Sequence, residues 1–357
     1  MIVQSVVVPD DYAALARFLA SFPDDANGEE FWSDRFRLWW EDNPAFAEGI
    51  PRGWMLKDAD GRPIGFLANV ARLFRSDRTD RRVFCAATWR VLPEHRNTST
   101  RLYAAHIAAG AGTVLFNTTP NAAVVQVLER LRFQSVASSR SGRAYFLPIN
   151  PSAVARAYVR RAGRPSAFAP AMAAGLAIAH VPSRVLLMTG GRGDVRPLIA
   201  ADDALDALWT NTRDIVSNTS VRSSDQVHWM CFSSTIHRKT VLGSFDRGSL
   251  QAYAIFRDAP WSDLRVLELF DLWPPALTPS VLSTLLAGSF DYARMRGYDL
   301  LLLHDYSDAL TQVFRRMRVF FGTTDDSRYY YIVRGANQAP LLPENSYLTA
   351  LEGDIGL

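Results

Sequence analysis

The alternation of apolar and polar positions between residues 83 and 133 predicts a strand, a helix, a second strand and a second helix. The run over residues 83–92 is apolar and rich in β-branched and aromatic residues, which is typical of a buried strand. Apolar residues then recur at helical spacing as far as Gly110. A short apolar run over residues 113–116 and a second helical pattern that ends before Phe133 complete this central unit.

The segments before and after the central unit extend the same alternation. Residues 2–8 predict a strand, two helical patterns follow, and two further strands meet at Asp60-Gly61, a dipeptide typical of hairpin turns. We expect the charged residues 75–82 to form a loop. We also expect residues 137–147 to supply the strand that closes this first sheet.

The pattern of the first half returns in the second half of the chain. Asn121 and Asp308 are separated by 187 positions, and so are Phe133 and Phe320. An offset that is kept through a strand, a loop and a helix indicates a tandem duplication. We therefore expect an N-terminal domain over residues 1–150, a helical linker over 151–190 and a C-terminal domain over 191–357.

Composition limits the classes of partner and compartment. The chain has 357 residues, 48% of them hydrophobic, and a net charge of +3, which favours neither DNA binding nor a disordered chain. Cys85 and Cys231 both lie in apolar segments, so we expect no disulfide and no metal site. The weakly polar stretch over residues 168–181 is too short to span a bilayer. We expect a cytoplasmic protein without a transmembrane segment or a signal peptide.

Two polar loops of the central unit carry its candidate chemistry. The first follows the strand as Arg96-Asn97-Thr98-Ser99-Thr100-Arg101, and the free N–H groups of the helix that it opens favour an anion. The second contains Asn117 and Asn121, and Asn121 precedes Phe133 by twelve positions.

These motifs resemble the GNAT acyltransferase superfamily, in which the residues after a V-x-P-x-x-R stretch hold the pyrophosphate of coenzyme A. Val91, Pro93 and Arg96 match that stretch if one residue of slack is allowed. The resemblance implies an α/β fold of two tandem domains, each with a mixed, splayed central sheet flanked by helices. It also implies a donor site, whose residues would be Trp89, Arg90, Val91, Arg96, Asn97, Thr98, Ser99, Thr100, Arg101 and Asn121. The donor would be acyl-CoA or an acyl group on phosphopantetheine.

This sequence departs from the family pattern at two points. The loop over residues 96–101 has no glycine, whereas the family loop uses glycines to approach phosphate closely. Leu128 stands where the family often has a tyrosine that protonates the leaving thiolate. In the second half, prolines at 274, 275 and 279 replace the anion loop and remove N–H donors, so the first half is the better donor site.

Candidate acid–base residues lie mainly in the second half. The strand over residues 83–92 has no carboxylate, and Asn117 can orient an acceptor but cannot accept a proton. Asp271, His304 and Asp305 lie where GNAT sheets open toward substrate, and a histidine beside a carboxylate is a suitable base. A structural role for His304, as a capping or core residue, stays open.

We interpret the chain as an N-acyltransferase that moves an acyl group from a thioester to an amine of a small metabolite or an amino sugar. An acyl carrier protein is an alternative partner to acyl-CoA, because its arm carries a single phosphate. Two other interpretations stay open. Tandem GNAT-like domains resemble aminoacyl-tRNA-dependent transferases of the Fem type, and a non-catalytic binding protein would explain the missing family residues.

Overall fold

The computed structural model describes residues 2–137, 142–189, 193–261, 263–323, 328–334, 341–342 and 344–352. These residues form two mixed sheets flanked by helices, which confirms the predicted α/β class. The strands are β1 (Val3–Val6), β2 (Gly53–Lys57), β3 (Pro63–Ser76), β4 (Thr79–Val91), β5 (Val114–Asn117), β6 (Gln134–Ala137), β7 (Arg143–Pro148), β8 (Asp194–Pro197), β9 (Asn218–Ser220), β10 (Thr240–Asp246), β11 (Ser249–Trp261), β12 (Leu264–Trp273), β13 (Leu300–His304), β14 (Phe320–Thr323) and β15 (Arg328–Val333). The helices are α1 (Tyr12–Ala20), α2 (Glu29–Phe36), α3 (Ser99–Ala109), α4 (Ala122–Arg130), α5 (Pro151–Arg161), α6 (Ala169–Ala179), α7 (Val181–Thr189), α8 (Asp203–Thr212), α9 (Ser224–Cys231), α10 (Pro279–Met295) and α11 (Asp308–Met317).

The two sheets repeat one arrangement. The first has the order β1-β2-β3-β4-β5-β15-β6, with β9 added to β3, and the second has the order β14-β7-β13-β12-β11-β10-β8. The pairs β4–β5 and β12–β13 are parallel, while their neighbours on both sides are antiparallel. Each parallel pair is joined through one helix, α3 or α10, which is the connection that parallel strands require.

The two halves exchange their closing strands. β7 pairs with β13 and β14 of the second sheet, and β15 returns to pair with β5 and β6 of the first. The expectation that residues 137–147 close the first sheet is therefore wrong. Alternating apolar residues fix which side chains of a strand face a core, but they do not specify which of two similar sheets accepts the strand. The division at residues 150 and 190 thus stays a proposal about the sequence repeat.

The charged residues 75–82 form a hairpin, which corrects the predicted loop. β3 and β4 run up to a turn in which Asp77 and Arg78 have φ angles of 49° and 63°. Such left-handed pairs make the tight turns that fit strand twist. Arg75 lies at the end of β3 and binds Asp80 at 2.6 Å and Asp214 at 2.8 Å, so the charges stabilise the hairpin and tie it to the second half.

One apolar core extends through both halves. Trp39, Trp40 and Trp229 are each at most 1% exposed and belong to the same cluster of buried side chains. The indole Nε1 of Trp229 donates a hydrogen bond to the carbonyl oxygen of Leu38 at 2.6 Å. The halves therefore pack face to face.

Candidate active site

The first sheet opens between the parallel strands β4 and β5. They pair only at Phe84–Leu115 and Cys85–Phe116, and β4 then continues without a partner on that side. Its register against β3 shifts next to Thr88, whose φ angle of 47° marks a bulge. A bulge bends a strand and re-aims its side chains, and an unpaired edge presents N–H groups. This part of β4 is able to donate hydrogen bonds to a ligand carbonyl.

A cavity of about 210 Å³ occupies this opening. Residues 86–90 of β4 form one wall, and Asn117 with Thr119, Pro120 and Asn121 forms the opposite wall. Trp32 of α2 closes a third side. The structure thus brings Trp89, Arg90, Asn117 and Asn121 to one place. The remaining predicted donor residue of β4, Val91, pairs with Gly65 and does not line the cavity.

Two indole groups give the cavity unused donors. The Nε1 atoms of Trp32 and Trp89 are buried and have no hydrogen-bond partner among the described residues. Trp89 is held by Tyr103 of α3, with ring centroids 4.9 Å apart. Burial raises the pKa of the Tyr103 hydroxyl, so this group stays protonated. A buried N–H without a partner is costly, and a bound carbonyl or amide would satisfy it.

Asn121 combines a structural contact with its position in the cavity. It is the N-cap of α4, and its side-chain oxygen accepts a hydrogen bond from the N–H of Val124 at 3.0 Å. Asn117 ends β5 and pairs with Tyr330 of the exchanged strand β15. The C-terminal strand therefore helps to position the wall of the first-sheet cavity.

The predicted phosphate loop is helical. A 3₁₀ helix (Pro93–Thr98) leads directly into α3. The hydroxyls of Thr98 and Ser99 donate to the carbonyls of His95 and Arg96, both at 2.7 Å. The remaining predicted loop residues are all exposed: Arg96, Asn97, Thr100 and Arg101. None of these forms an ion pair with a described residue.

Arg90 was predicted to bind the acyl donor, but its side chain contacts other residues of the protein. Its Nη1 lies 2.6 Å from Oδ2 of Asp24, and its guanidinium stacks on Phe22 at 5.3 Å. The side chain therefore ties β4 to the loop after α1, and its backbone lines the cavity.

Three polar side chains form a row across β11, β12 and β13 of the second sheet. His304 Nε2 lies 3.0 Å from Glu268 Oε1, and Arg257 Nε donates to Glu268 Oε2 at 2.7 Å. Burial raises the pKa of Glu268, but the His304 hydrogen bond and the Arg257 charge outweigh it, and the pKa is lowered overall. The ionised carboxylate orients the imidazole, whose side chain remains 16% exposed. This row is a competent base with a fixed ring.

Asp271 and Asp305 do not belong to this row. Asp271 is fully buried, where Arg222 binds both of its oxygens at 2.9 and 3.0 Å and Thr349 donates to it at 2.8 Å. Asp305 is also fully buried and accepts a hydrogen bond from Thr311. Both carboxylates thus stabilise the second half, and the catalytic role predicted from their places at strand ends stays a prediction.

Cationic side chains lie beside both the first-sheet cavity and the polar row. Arg35 packs on Trp32 at 5.6 Å, and Lys239 and Arg257 pack on Phe270 at 5.5 and 5.1 Å. Burial, together with nearby arginines that include Arg35 and Arg257, lowers the pKa of Lys239 to about 8. The region between the two sites is therefore cationic.

Sequence reasoning missed Trp32 and Arg257 as site residues. Trp32 belongs to an aromatic helical segment whose other tryptophans are core residues, so its pattern did not distinguish it. Glu268 and Asp271 lie on the same strand, and only the structure shows that Glu268 pairs with His304 and Asp271 with Arg222. Arg257 lies in β11, and no sequence motif indicates a functional role for it.

A second, larger cavity lies elsewhere. It has a volume of about 730 Å³ and lies between α7, α10, β8 and β10, with Leu187, Val195 and Gly288 among its lining residues. No residue of the parallel pair β12–β13 lines it. It therefore lacks the open strand edge that distinguishes the smaller cavity.

Comparisons with known proteins are consistent with this architecture. No family model and no curated protein sequence matches the chain. A conserved protein of Enterococcus faecalis V583, described as a probable N-acyltransferase, superposes with a TM-score of 0.58 at 9% identity, over 94% of this chain and 72% of that one.

Two further solved structures match at the same level. Saccharomyces cerevisiae N-myristoyltransferase with bound myristoyl-CoA has a TM-score of 0.57 at 11% identity, over 100% of this chain and 84% of that one. A GCN5-related N-acetyltransferase from Anabaena variabilis has a TM-score of 0.57 at 9% identity, over 94% and 73%. With its two mixed sheets and its splayed parallel strands, the chain has the fold of the GNAT superfamily in tandem form.

Proposed function

We propose that the chain is an N-acyltransferase that takes an acyl group from a thioester bound in the first-sheet opening. The observation that carries this proposal is the separation of β4 from β5 at a bulge, with a cavity of about 210 Å³ at the open edge. In acyl transfer, negative charge develops on the thioester oxygen, and fixed N–H donors stabilise it. The open edge of β4 supplies such donors.

The donor would extend from this cavity toward the start of α3. Arg96 and Arg101 are exposed there, and the helix N-terminus favours phosphate. The yeast neighbour contains an acyl-CoA, which supports acyl-CoA as the donor; an acyl carrier protein remains a second candidate because the loop lacks glycine. The acceptor would be an amine of a small metabolite or an amino sugar.

His304 would accept the proton that the amine loses. Its ring is oriented by Glu268 and its side chain is partly exposed, which supports a role as the proton acceptor. The amine nitrogen would form a bond to the thioester carbon, the carbon–sulfur bond would break, and the thiol would leave with a proton.

Calorimetry with coenzyme A tests the donor site. Arg96→Ala together with Arg101→Ala removes two charge-assisted hydrogen bonds worth about 1.5–3 kcal/mol each, so affinity should fall by at least about a hundredfold. Arg62→Ala is the matched control, because Arg62 is exposed in the β2–β3 turn. Equal affinity in the double variant and the wild type would overturn this placement.

A thiol-release assay tests the activity itself. Acetyl-CoA and an acylated carrier protein are offered in turn with a panel of small amines and amino sugars. Thiol release that depends on an added amine is expected with one donor. Release with neither donor, by a protein that binds coenzyme A, would leave a non-catalytic GNAT-fold protein as the better description.

A further inference from the structure

The solvent-facing side of α6 and α7 is apolar along its whole length. Its exposed members are Phe168, Pro170, Ala171, Ala174, Gly175, Ile178, Ala179, Val181, Pro182, Val185 and Leu186. Ile178 is 72% exposed, and Val181 and Val185 are each just over half exposed. A helix on the surface of a globular protein normally presents polar residues to water. This face extends over roughly 30 Å of helix, which is more than a scatter of single apolar residues.

The buried side of α6 and α7, opposite the apolar face, fixes the orientation of the two helices. Ala169, His180, Ser183 and Leu187 recur at helical spacing and are buried. The hydroxyl of Ser183 donates a hydrogen bond to the carbonyl of Met317 at 2.6 Å, and His180 packs against Phe320 with ring centroids 4.7 Å apart. The apolar face is therefore held outward by the packing behind it.

The surface next to this face is basic. Helix α5 packs against α6 and exposes Arg156, Arg160 and Arg161, and Arg164 follows in the connection. Tyr158 is 55% exposed between them. The sequence has no aspartate or glutamate between Glu129 and Asp194. The one described acidic contact of these arginines comes from Asp263, which pairs with Arg160 at the surface.

We propose that this surface, made of α6 and α7 with the arginines of α5, binds to an anionic phospholipid membrane. Apolar side chains that insert among the acyl chains, with arginines and a tyrosine at the headgroup level, are the combination that stabilises a helix lying in a membrane interface. No single described helix is long and apolar enough to cross a bilayer; Ser166–Ala179 and Val181–Leu187 reach that composition only as a pair bent by 45°.

Other occupants fit the surface less well. A second copy of the chain, joined by two-fold symmetry, would bring the same arginines close to one another without acidic residues to neutralise them. A protein partner would need hydrogen bonds, about one per 100–200 Å² of interface, but the exposed side chains of α6 and α7 provide no donors or acceptors. Lipid chains need none.

Sedimentation of the full chain with vesicles tests the proposal. The expected result is binding to phosphatidylcholine vesicles that contain phosphatidylserine, weak binding to phosphatidylcholine alone, and release at high salt. Each of Arg156→Gln and Arg164→Gln should weaken binding by about fivefold, because one basic residue near an anionic surface contributes about a factor of five. Arg247→Gln, at an exposed turn of the second sheet, is the matched control.

Variants of the apolar face complete the test. Ile178→Asp with Val185→Asp should reduce binding by about tenfold or more per site, since a buried aliphatic side chain contributes at least that factor. Ile199→Asp is the control, because Ile199 is 89% exposed outside this surface. Phe168→Asp is a second variant in case the first misfolds.

Three results would overturn the proposal. The first is that the wild type sediments with neither kind of vesicle. The second is that the wild type and the folded face variants bind vesicles equally. The third is that the wild type binds no lipid but forms dimers in sedimentation velocity, and that the face variants abolish these dimers.

Discussion

The two parallel strand pairs of this molecule separate in the same way but enclose different chemistry. Beyond the last β4–β5 pair, the wall of the opening carries Ala86, Ala87 and Thr88, and the small side chains leave a cavity of about 210 Å³. Beyond the last β12–β13 pair, at Glu268 and Leu302, the strand carries large or charged side chains that already have partners. One opening is suited to receive a ligand, and the other is filled by the protein.

This difference shows how a duplicated fold divides its tasks. In the first half, N–H groups of the β4 backbone remain available, which suits the binding of a thioester. In the second half, the same position holds a histidine–carboxylate pair at its rim and a sealed arginine–aspartate pair, Arg222 and Asp271, beneath it. The fold supplies an opening twice, and the side chains decide its use.

The largest expected effect is on turnover and comes from His304. His304→Ala should lower the rate by about 10²–10⁴, the usual contribution of a general base, with little change in donor affinity. Rates and melting temperatures measured on the same purified variant separate the two accounts. Normal turnover with lost stability would mean that the second opening is purely structural and takes no part in catalysis.

The next effect is on stability and comes from the sealed pair. Asp271→Asn removes the carboxylate that binds the buried Arg222 at two positions and leaves it only Glu352, at 3.5 Å, as an acidic partner among the described residues, so it should reduce the free energy of unfolding by up to about 3–5 kcal/mol in denaturant titrations. Asp263→Asn is the matched control, since Asp263 and Arg160 pair at the exposed surface and such pairs contribute about 0–1 kcal/mol. If Asp271→Asn stays fully stable but loses turnover, the predicted catalytic role of Asp271 is favoured over the structural one.

The smallest expected effect is on the pH dependence of folding stability, and it comes from His106 and not from His304. His106 of α3 is fully buried beside Trp54 and Tyr103, and burial lowers its pKa to about 3, whereas His304 has a carboxylate partner. Because the unfolded chain binds this proton near pH 6.5, His106 makes the folded state lose stability as the pH falls below that value.

His106→Phe should remove this loss. Between about pH 7 and pH 5 it corresponds to about 2 kcal/mol, which should appear as a flatter dependence of the unfolding free energy in the variant. His180 and His237 also have lowered pKa values, so the difference between variant and wild type is the quantity to measure. An unchanged slope would mean that the imidazole of His106 is protonated in the folded state.

The sequence predicted the fold better than it predicted the site. Hydrophobic periodicity and the 187-position offset led to two mixed sheets, because burial patterns are local properties of the chain. The exchange of β7 and β15 was missed, since either sheet accepts a strand with alternating apolar residues. The burial of Asp271 was not foreseen, because its partners Arg222 and Thr349 are distant from it along the chain.

The donor site is tested most directly by a crystal structure with a non-hydrolysable acyl-CoA analogue. We predict that the acyl–pantetheine end lies between β4 and β5, with its carbonyl hydrogen-bonded to the β4 edge near Trp89 and its phosphates near Arg96 and Arg101. Analogue bound in the second half, within the 730 Å³ cavity beside Val195 and Gly288, would contradict the division of tasks proposed for the two openings.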